Sequence, residues 1–418
     1  MIRIQTIRRA TTRAAAGATL LLSVSACSDK FLSVTNPNVI DAATVDPTSG
    51  ANTLALSAQQ NYTAMLGLLS VYGGWFTEEV NVSDTFPTRN EFGFRTISDL
   101  NGSLNTDIWA PLSLAVASAK TVLDLTLPSP TSNLSLARSA TFRGFSILQM
   151  ATDFCTGSLS SSPELTTAQM LDSAIAMFDQ GIAVGTANAT ADGVSLANAA
   201  RVGRARSKLQ KGDLAGAATD AGAVPAGYVY NLRYTDDLSN RNRLGNRVYT
   251  FTFDRSAISV APFFRVTDPR VPYLPPGVST LQGQDAVPGG FFQQTKFNSY
   301  SAGMRLASKL EADYIAAEAT GGNAGQLALI NARRSANGQS PYAGATDDAS
   351  VLREFFTQRG LDFYLEGKRL ADFRRKPAAV PAITPAGGAY FKPGYPAVGT
   401  QTCYPLPRVE RDNNPNMQ

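Results

Sequence analysis

The chain has 418 residues, 44% of them hydrophobic and only 17% charged, with 37 Lys and Arg against 33 Asp and Glu, three Cys and no His. That length and apolar content suit one large domain, or two to three smaller ones, around a substantial core. The absence of imidazole excludes Ser-His and Cys-His nucleophiles, His general bases and most zinc sites, which leaves carboxylate pairs, lysine bases, oxygen-ligated cations and binding without catalysis.

The formal charge of +4 has a local origin. Arg3, Arg8, Arg9 and Arg13 stand in the first 26 residues with no acid among them, and the rest of the chain is neutral. The charge therefore belongs to a targeting signal and gives no support to nucleic-acid binding. Residues 1–13 form an Arg-bearing head and residues 14–26 an apolar run too short to span a bilayer. The run ends in Val24-Ser25-Ala26-Cys27, which resembles a bacterial lipobox. The expectation is a lipoprotein signal peptide at 1–26 and acylation of Cys27. Several acyl chains would then tether residues 27–418 to a membrane, outside the bilayer. Nothing downstream is apolar enough to span. Cys155 and Cys403 remain as either a disulfide pair, suited to an oxidising compartment, or two separate buried thiols.

After a turn-rich leader that extends to about residue 52, apolar residues recur at helical spacing from about Ala51 to Leu69, Thr106 to Leu125, Ser135 to Phe154 and Thr166 to Ala183. Thr166 is placed to cap the last of these. Residues 195–224 form two short helical patterns around Gly212-Asp213. Their small residues Ala205 and Ala217 lie where the two helices of a tetratricopeptide hairpin approach most closely. A second such hairpin is expected over 304–335, opening at Met304. Between them, residues 227–301 are rich in Tyr, Phe, Asn, Arg and Pro, and Val248 to Phe253 alternates like a short strand. A further loop-rich tract covers 377–418. The expected fold is mostly α, with a helical-repeat scaffold over about 51–224 and 304–376 and an irregular lobe at 227–301 and 377–418.

Several segments carry a resemblance, in order along the chain: Cys27-Ser-Asp-Lys-Phe-Leu-Ser-Val-Thr-Asn-Pro; Gly73-Gly-Trp-Phe-Thr-Glu-Glu79 with Arg95 and Trp109; Phe142-Arg143 and Asp153-Phe154; and Thr267-Asp-Pro-Arg270. They continue with Arg305-Leu306, Tyr314, Ala317-Glu-Ala319, Ile330-Asn331 and Arg333-Arg334. The fullest is Arg359-Gly-Leu-Asp-Phe-Tyr-Leu-Glu-Gly-Lys-Arg-Leu-Ala-Asp-Phe-Arg-Arg375, and Tyr404-Pro-Leu-Pro407 with Asn414-Pro-Asn416 closes the series. Together they resemble the SusD/RagB family of outer-membrane nutrient-uptake lipoproteins. The resemblance implies a tetratricopeptide-like α-superhelix with an inserted ligand lobe. It also implies a SusC-like TonB-dependent transporter as partner, a glycan or sometimes a peptide as ligand, and no bond cleavage.

Sugar C–H faces stack on flat rings, so ligand candidates are exposed aromatics with polar neighbours. Tyr72, Trp75 and Phe76 on a Gly-flanked loop are expected to serve, with Asn81, Asp84 and Arg89 beside them and with Phe291, Phe292 and Tyr300 in the irregular lobe. Trp109 is expected in the core. Glu318, Glu366, Arg369 and Asp372 are read as a structural ion-pair cluster, with a buried carboxylate partner for Arg369. Asp236, Asp237 and Asn240 lack the alternation of a calcium loop, and neither metal nor cofactor is assigned. Two other functions compete. A tetratricopeptide adaptor for protein partners would show an apolar concave face and a buried Trp75. A carboxylate-pair glycosidase would need two acids roughly 5–10 Å apart.

Overall fold

The computed structural model describes residue 46 and residues 50–418; the signal segment, Cys27 and most of the leader lie outside the described residues. The labelled helices are α1 (Ala51–Phe76), α2 (Pro87–Gly93), α3 (Ala110–Leu123), α4 (Leu134–Asp153), α5 (Thr167–Asn188), α6 (Ala191–Lys211), α7 (Leu214–Gly222), α8 (Lys309–Thr320), α9 (Asn323–Ala336), α10 (Asp348–Asp362) and α11 (Arg369–Arg375). Their starts are encoded locally. Asn133 accepts from the amides of Ser135 and Leu136 ahead of α4, and Thr166 and Gln169 form a reciprocal capping box ahead of α5. Thr190 and Asp213 cap α6 and α7, and Gly212, at φ 87°, closes α6 in the left-handed conformation that glycine adopts without penalty.

Consecutive helices pack on one another from α3 through α7, with α1 against α3 and α4, and α8 returns onto α7 and α6. The closest approach is set by missing side chains. Phe178 of α5 presses between Gly144 of α4 and Gly203 of α6, where an added Cβ would lie 2.7 and 2.3 Å from its ring. Ala205 and Ala217 are fully buried. The result is a tetratricopeptide-like superhelix, mostly α.

Among the described residues there are eight short strands: β1 (Val80–Val82), β2 (Thr156–Gly157), β3 (Leu165–Thr166), β4 (Val229–Leu232), β5 (Ile258–Val260), β6 (Tyr273–Leu274), β7 (Gln293–Gln294) and β8 (Met304–Ser308). They pair antiparallel as β1–β5, β2–β3, β4–β8 and β6–β7. The first pair, with Val80 opposite Val260, ties the lobe to the chain just beyond α1, and β4–β8 ties it to the start of α8. Two expectations are corrected here. Met304 to Ser308 is a strand, since its backbone pairs with β4 and Ser308 caps α8 through the amide of Glu311. Val248 to Phe253 is helical: the Asn246 side chain accepts from the Tyr249 amide, and the Thr250 and Thr252 hydroxyls donate to the carbonyls four residues back.

Cys155 and Cys403 are joined, with Cα atoms 5.2 Å apart. Tyr404 N–H donates to the Asp153 carbonyl at 2.8 Å and accepts from Cys155 N–H at 2.9 Å through its own carbonyl, so the C-terminal tract is stapled to the end of α4. Closing so long a loop stabilises the fold by about 2–4 kcal/mol. The charged cluster is largely interior. Asp372 pairs with Arg359 at 2.6 Å and Arg375 at 3.1 Å, and Glu318 takes both 2.8 Å bonds of Arg375. Arg369 differs from expectation: its guanidinium donates to the carbonyls of Thr77 and Pro381 rather than to a carboxylate.

Two predictions follow from this packing. Gly203→Ala forces a methyl into the Phe178 ring and is expected to cost about 1–3 kcal/mol in urea unfolding; an unchanged midpoint would contradict the close approach. Burial raises Glu79 and Asp153 to about 7, against the opposing effects of Arg369 on the first and of Gln149 and Thr152 on the second. In the unfolded chain these acids titrate near 4.5 and 3.8, so the folded state holds extra protons between those values and 7. Stability from them is complete below the unfolded values and is lost as pH rises through 7. Glu311 acts oppositely: burial pulls it up, but Arg206, Lys368 and Arg359 hold it at about 2, and its contribution is lost as pH falls from 4.5. Thermal melts are expected to peak near about pH 4–5 and decline toward pH 8. Glu79→Gln with Asp153→Asn should flatten that decline; an identical slope in the double variant would refute the assignment.

Candidate functional site

The first aromatic set belongs to the core. Tyr72, Trp75 and Phe76 lie in the last turns of α1, with exposures of 0, 1 and 0%. The sequence suggested a loop because of Gly73-Gly74, but Gly74 serves packing: a Cβ on it would stand 2.9 Å from Leu365 and 3.1 Å from Val80. Trp75 meets Tyr72 and Phe251 edge-on at 4.8 and 5.7 Å, and Phe76 packs on Tyr404 at 5.3 Å. The Tyr72 hydroxyl donates to Asp107, and burial, aided by that acid, pushes its phenol far above the ordinary range. Trp109 is in the core too, its indole N–H donating to Glu410 at 3.1 Å.

Of the polar candidates, Asp84 and Arg89 hold each other in place, whereas the Asn81 side-chain nitrogen is buried without a partner. Asn81 is buried on β1 opposite Ser259. Asp84 is fully buried and accepts from Arg89 at 2.6 Å and the Phe86 amide at 3.0 Å. Arg89 lies over Phe86 at 4.5 Å and Phe251 at 5.2 Å; burial weakens its charge, yet the bond to Asp84 outweighs this and raises its pKa. Phe86 is 53% exposed. Phe291 is buried, and Phe292 is half-buried beneath the Arg265 guanidinium at 3.8 Å.

Of the lobe candidates, Tyr300 is the one that joins other half-exposed rings. Tyr249 and Phe253 stack at 4.5 Å with planes 18° apart, and Tyr300 sits 4.6 Å from Tyr249 with its plane tilted by 59°. The Tyr300 hydroxyl donates to Asp254 at 2.6 Å, and that bond, with some burial, raises its pKa; Arg241 lies 4.6 Å over its ring. Local chemistry builds this group. Positions four apart on a helical turn share a face, which brings Tyr249 over Phe253. Asn246, fully buried, accepts from Tyr249 N–H and donates through its own amides to the carbonyls of Tyr300 and Ala302, both at 2.8 Å. One side chain thus starts the turn and clamps the Tyr300 loop beside it. The opposite face of the turn carries Phe251 down onto Tyr72 and Trp75.

Sequence reasoning missed Tyr249 and Phe253 because their alternation imitated a strand; the available signal was Asn246 as a helix cap with an aromatic pair four apart. Chemically the platform offers ring carbon beside the Asp254 carboxylate and the Arg241 guanidinium that lies over Tyr300, which suits packing of a sugar ring with hydrogen bonds at its edge. Among the described residues no group of three or more His, Cys, Asp or Glu could hold a metal ion. Asp237 is spent on the amides of Ser239 and Asn240.

No protein-family model and no curated protein matches the sequence. Solved structures do. A laminarin-binding SusD-like protein superposes with a TM-score of 0.65 at 14% identity, covering 88% of this chain and 97% of that one. A SusD superfamily protein from Parabacteroides distasonis gives 0.64 at 14% identity over 88% and 97%. A chitin-binding protein gives 0.57 at 16% identity over 88% and 93%. At these identities the likeness is one of fold, and this chain shares the fold of these SusD-like structures.

Proposed function

We propose that this chain is a non-enzymatic binding protein for a neutral oligosaccharide. On this reading it is anchored through acylated Cys27 at the outer membrane, faces the cell exterior and hands its ligand to a SusC-like TonB-dependent transporter. The observation that carries the proposal is the half-exposed stack of Tyr249, Phe253 and Tyr300, with Asp254 and Arg241 at its edge. Support comes from the fold, which is shared with proteins described as laminarin-binding and chitin-binding. The resemblance at Val24 to Cys27 supports the anchor. Binding and handover need no base or nucleophile, in keeping with a chain that has no His.

A second reading, the adaptor for protein partners, draws on one specific observation. Trp75 is buried, and a largely apolar hollow of about 350 Å³ lies where α1 and α3 meet the lobe, lined by Met65, Leu68, Pro111 and the 55% exposed Leu114 together with Arg243 and Arg247. It would leave the aromatic stack without a role, so the glycan reading is preferred.

Calorimetry of the soluble chain from Ser28 onward, against laminarihexaose and chitohexaose, tests the proposal. At least one is expected to bind. Phe253→Ala should weaken it by about fivefold or more, since an aromatic face contact contributes about 1 kcal/mol, with little change in melting temperature. Absence of binding to both, or unchanged affinity in the variant, would count against it. Hydrolysis products that vanish when one acid is replaced would overturn the non-enzymatic assignment. For the anchor, Cys27→Ala is expected to abolish processing and membrane fractionation; unchanged fractionation contradicts it.

A further inference from the structure

The hollow of about 350 Å³ where α1 and α3 meet the lobe shares no residue with the ring stack of Tyr249, Phe253 and Tyr300. Helical spacing makes its apolar wall. Ala64, Met65 and Leu68 fall three and four apart on one face of α1, and Pro111 and Leu114 stand three apart on α3. Leu114, 55% exposed, leaves this wall open to solvent.

Two cations of the lobe, Arg243 and Arg247, complete the lining. Arg247 lies against α1 where Gly67 has no side chain: a Cβ on that glycine would stand 3.1 Å from the Arg247 Cβ. Its guanidinium donates to the Asn242 carbonyl, which sets it against the stretch of chain that carries Arg243. Among the described residues neither arginine makes an ion pair, whereas Arg89, Arg206 and Arg270 each do. Burial lowers the Arg247 pKa and the charge of Arg255 lowers it further, against a weaker pull from Asp107, whose carboxylate is engaged by the Tyr72 hydroxyl. The hollow therefore carries positive charge without a counterion.

The chemistry of the walls selects the ligand. A neutral apolar occupant would leave the two charges uncompensated, and an inorganic anion would leave the apolar wall wet. The complement is one molecule with a hydrocarbon tail and an anionic head. A protein partner matches less well, because a stable interface covers about 800 Å² on each side and Leu114 is the one large apolar side chain of this wall that is exposed. We propose that this hollow binds a small amphiphile of the fatty-carboxylate class, its tail along Met65, Leu68 and Leu114 and its carboxylate at Arg243 and Arg247. A guanidinium can grip a carboxylate through two parallel N–H bonds, which suits a head of that shape. The site goes beyond the glycan reading and stands independently of it.

Calorimetry of the soluble chain from Ser28 onward with octanoate, below the concentration at which it forms micelles, tests the proposal. One saturable site is expected. Hexanoate, two methylenes shorter, should bind at least about fivefold more weakly, since each fully buried methylene is worth roughly a factor of four. Octanamide, of the same length without the charge, should bind at least about tenfold more weakly than octanoate. Arg243→Gln, at an exposed position, should weaken octanoate at least about fivefold and narrow its advantage over octanamide. Leu114→Glu, also exposed, sets an acid against the tail and should abolish octanoate binding. Where either variant fails to fold, the other carries the test. No saturable heat, equal affinity for octanoate and octanamide, or full octanoate affinity in Leu114→Glu or Arg243→Gln would overturn the proposal. So would dimers in sedimentation that Leu114→Glu dissociates, since a second copy of the chain would then be the occupant.

Discussion

Glu366 is the point on which the two halves of the molecule depend. It is 4% exposed and accepts from Lys296 of the irregular lobe at 2.9 Å and from Arg305 of β8 at 3.0 Å, with Lys368 at 3.8 Å. Lys368 also reaches Glu311 of α8 at 3.4 Å, and Glu311 takes a two-pronged bond from Arg206 of α6 at 2.6 and 2.9 Å. Charges from the scaffold, the second helical half and the lobe are thus compensated only when all three are assembled. Burial lowers the Lys368 ammonium to about 8 even with Glu311 beside it, which measures how far the site is removed from water. Such a network is weak evidence for extra stability, but removing one partner strands the others, at about 3–5 kcal/mol. Its main consequence is registry: the lobe has one place to sit.

That registry decides where the aromatic platform stands. The tie at Lys296 lies four residues before Tyr300, and β4–β8 anchors the chain just beyond it. From the other side, Phe251 rests on Tyr72 and Trp75, so the turn that carries Tyr249 and Phe253 on its outer face is seated on the interior of α1. The rings first suggested as ligand contacts are the footing of the rings that face solvent. A rigid footing matters for a weakly polar ligand such as a sugar, because each ordered side chain would otherwise cost about 0.5–1.5 kcal/mol on binding.

Much of the scaffold was legible in the chain. Thr166 and Gly212 mark helix ends by chemistry that acts within a few residues, and Ala205 and Ala217 announce a close helix approach. The run from Arg359 to Arg375 was readable as a structural cluster, although Arg369 finds carbonyls where a carboxylate was expected. The site was less legible, for a definite reason. Gly73-Gly74 reads as a loop until Leu365, far away in sequence, is seen to need the space. Val248 to Phe253 reads as a strand until Asn246 is seen bonded to Tyr300 and Ala302. At Gly74 a long-range contact overrides local preference, and a single sequence carries no record of it; at Val248 to Phe253 the local Asn246 cap stood in the sequence, and only its bonds to the Tyr300 loop did not.

Hydrogen exchange with and without saturating laminarihexaose or chitohexaose, whichever binds, tests the central claim most directly. The account predicts ligand-dependent protection over residues 241–255 and 298–302, where the stack and its Asn246 clamp lie, with α4 to α6 unchanged. Protection confined to the helical scaffold, with the 241–255 segment exchanging as in the free protein, would contradict it.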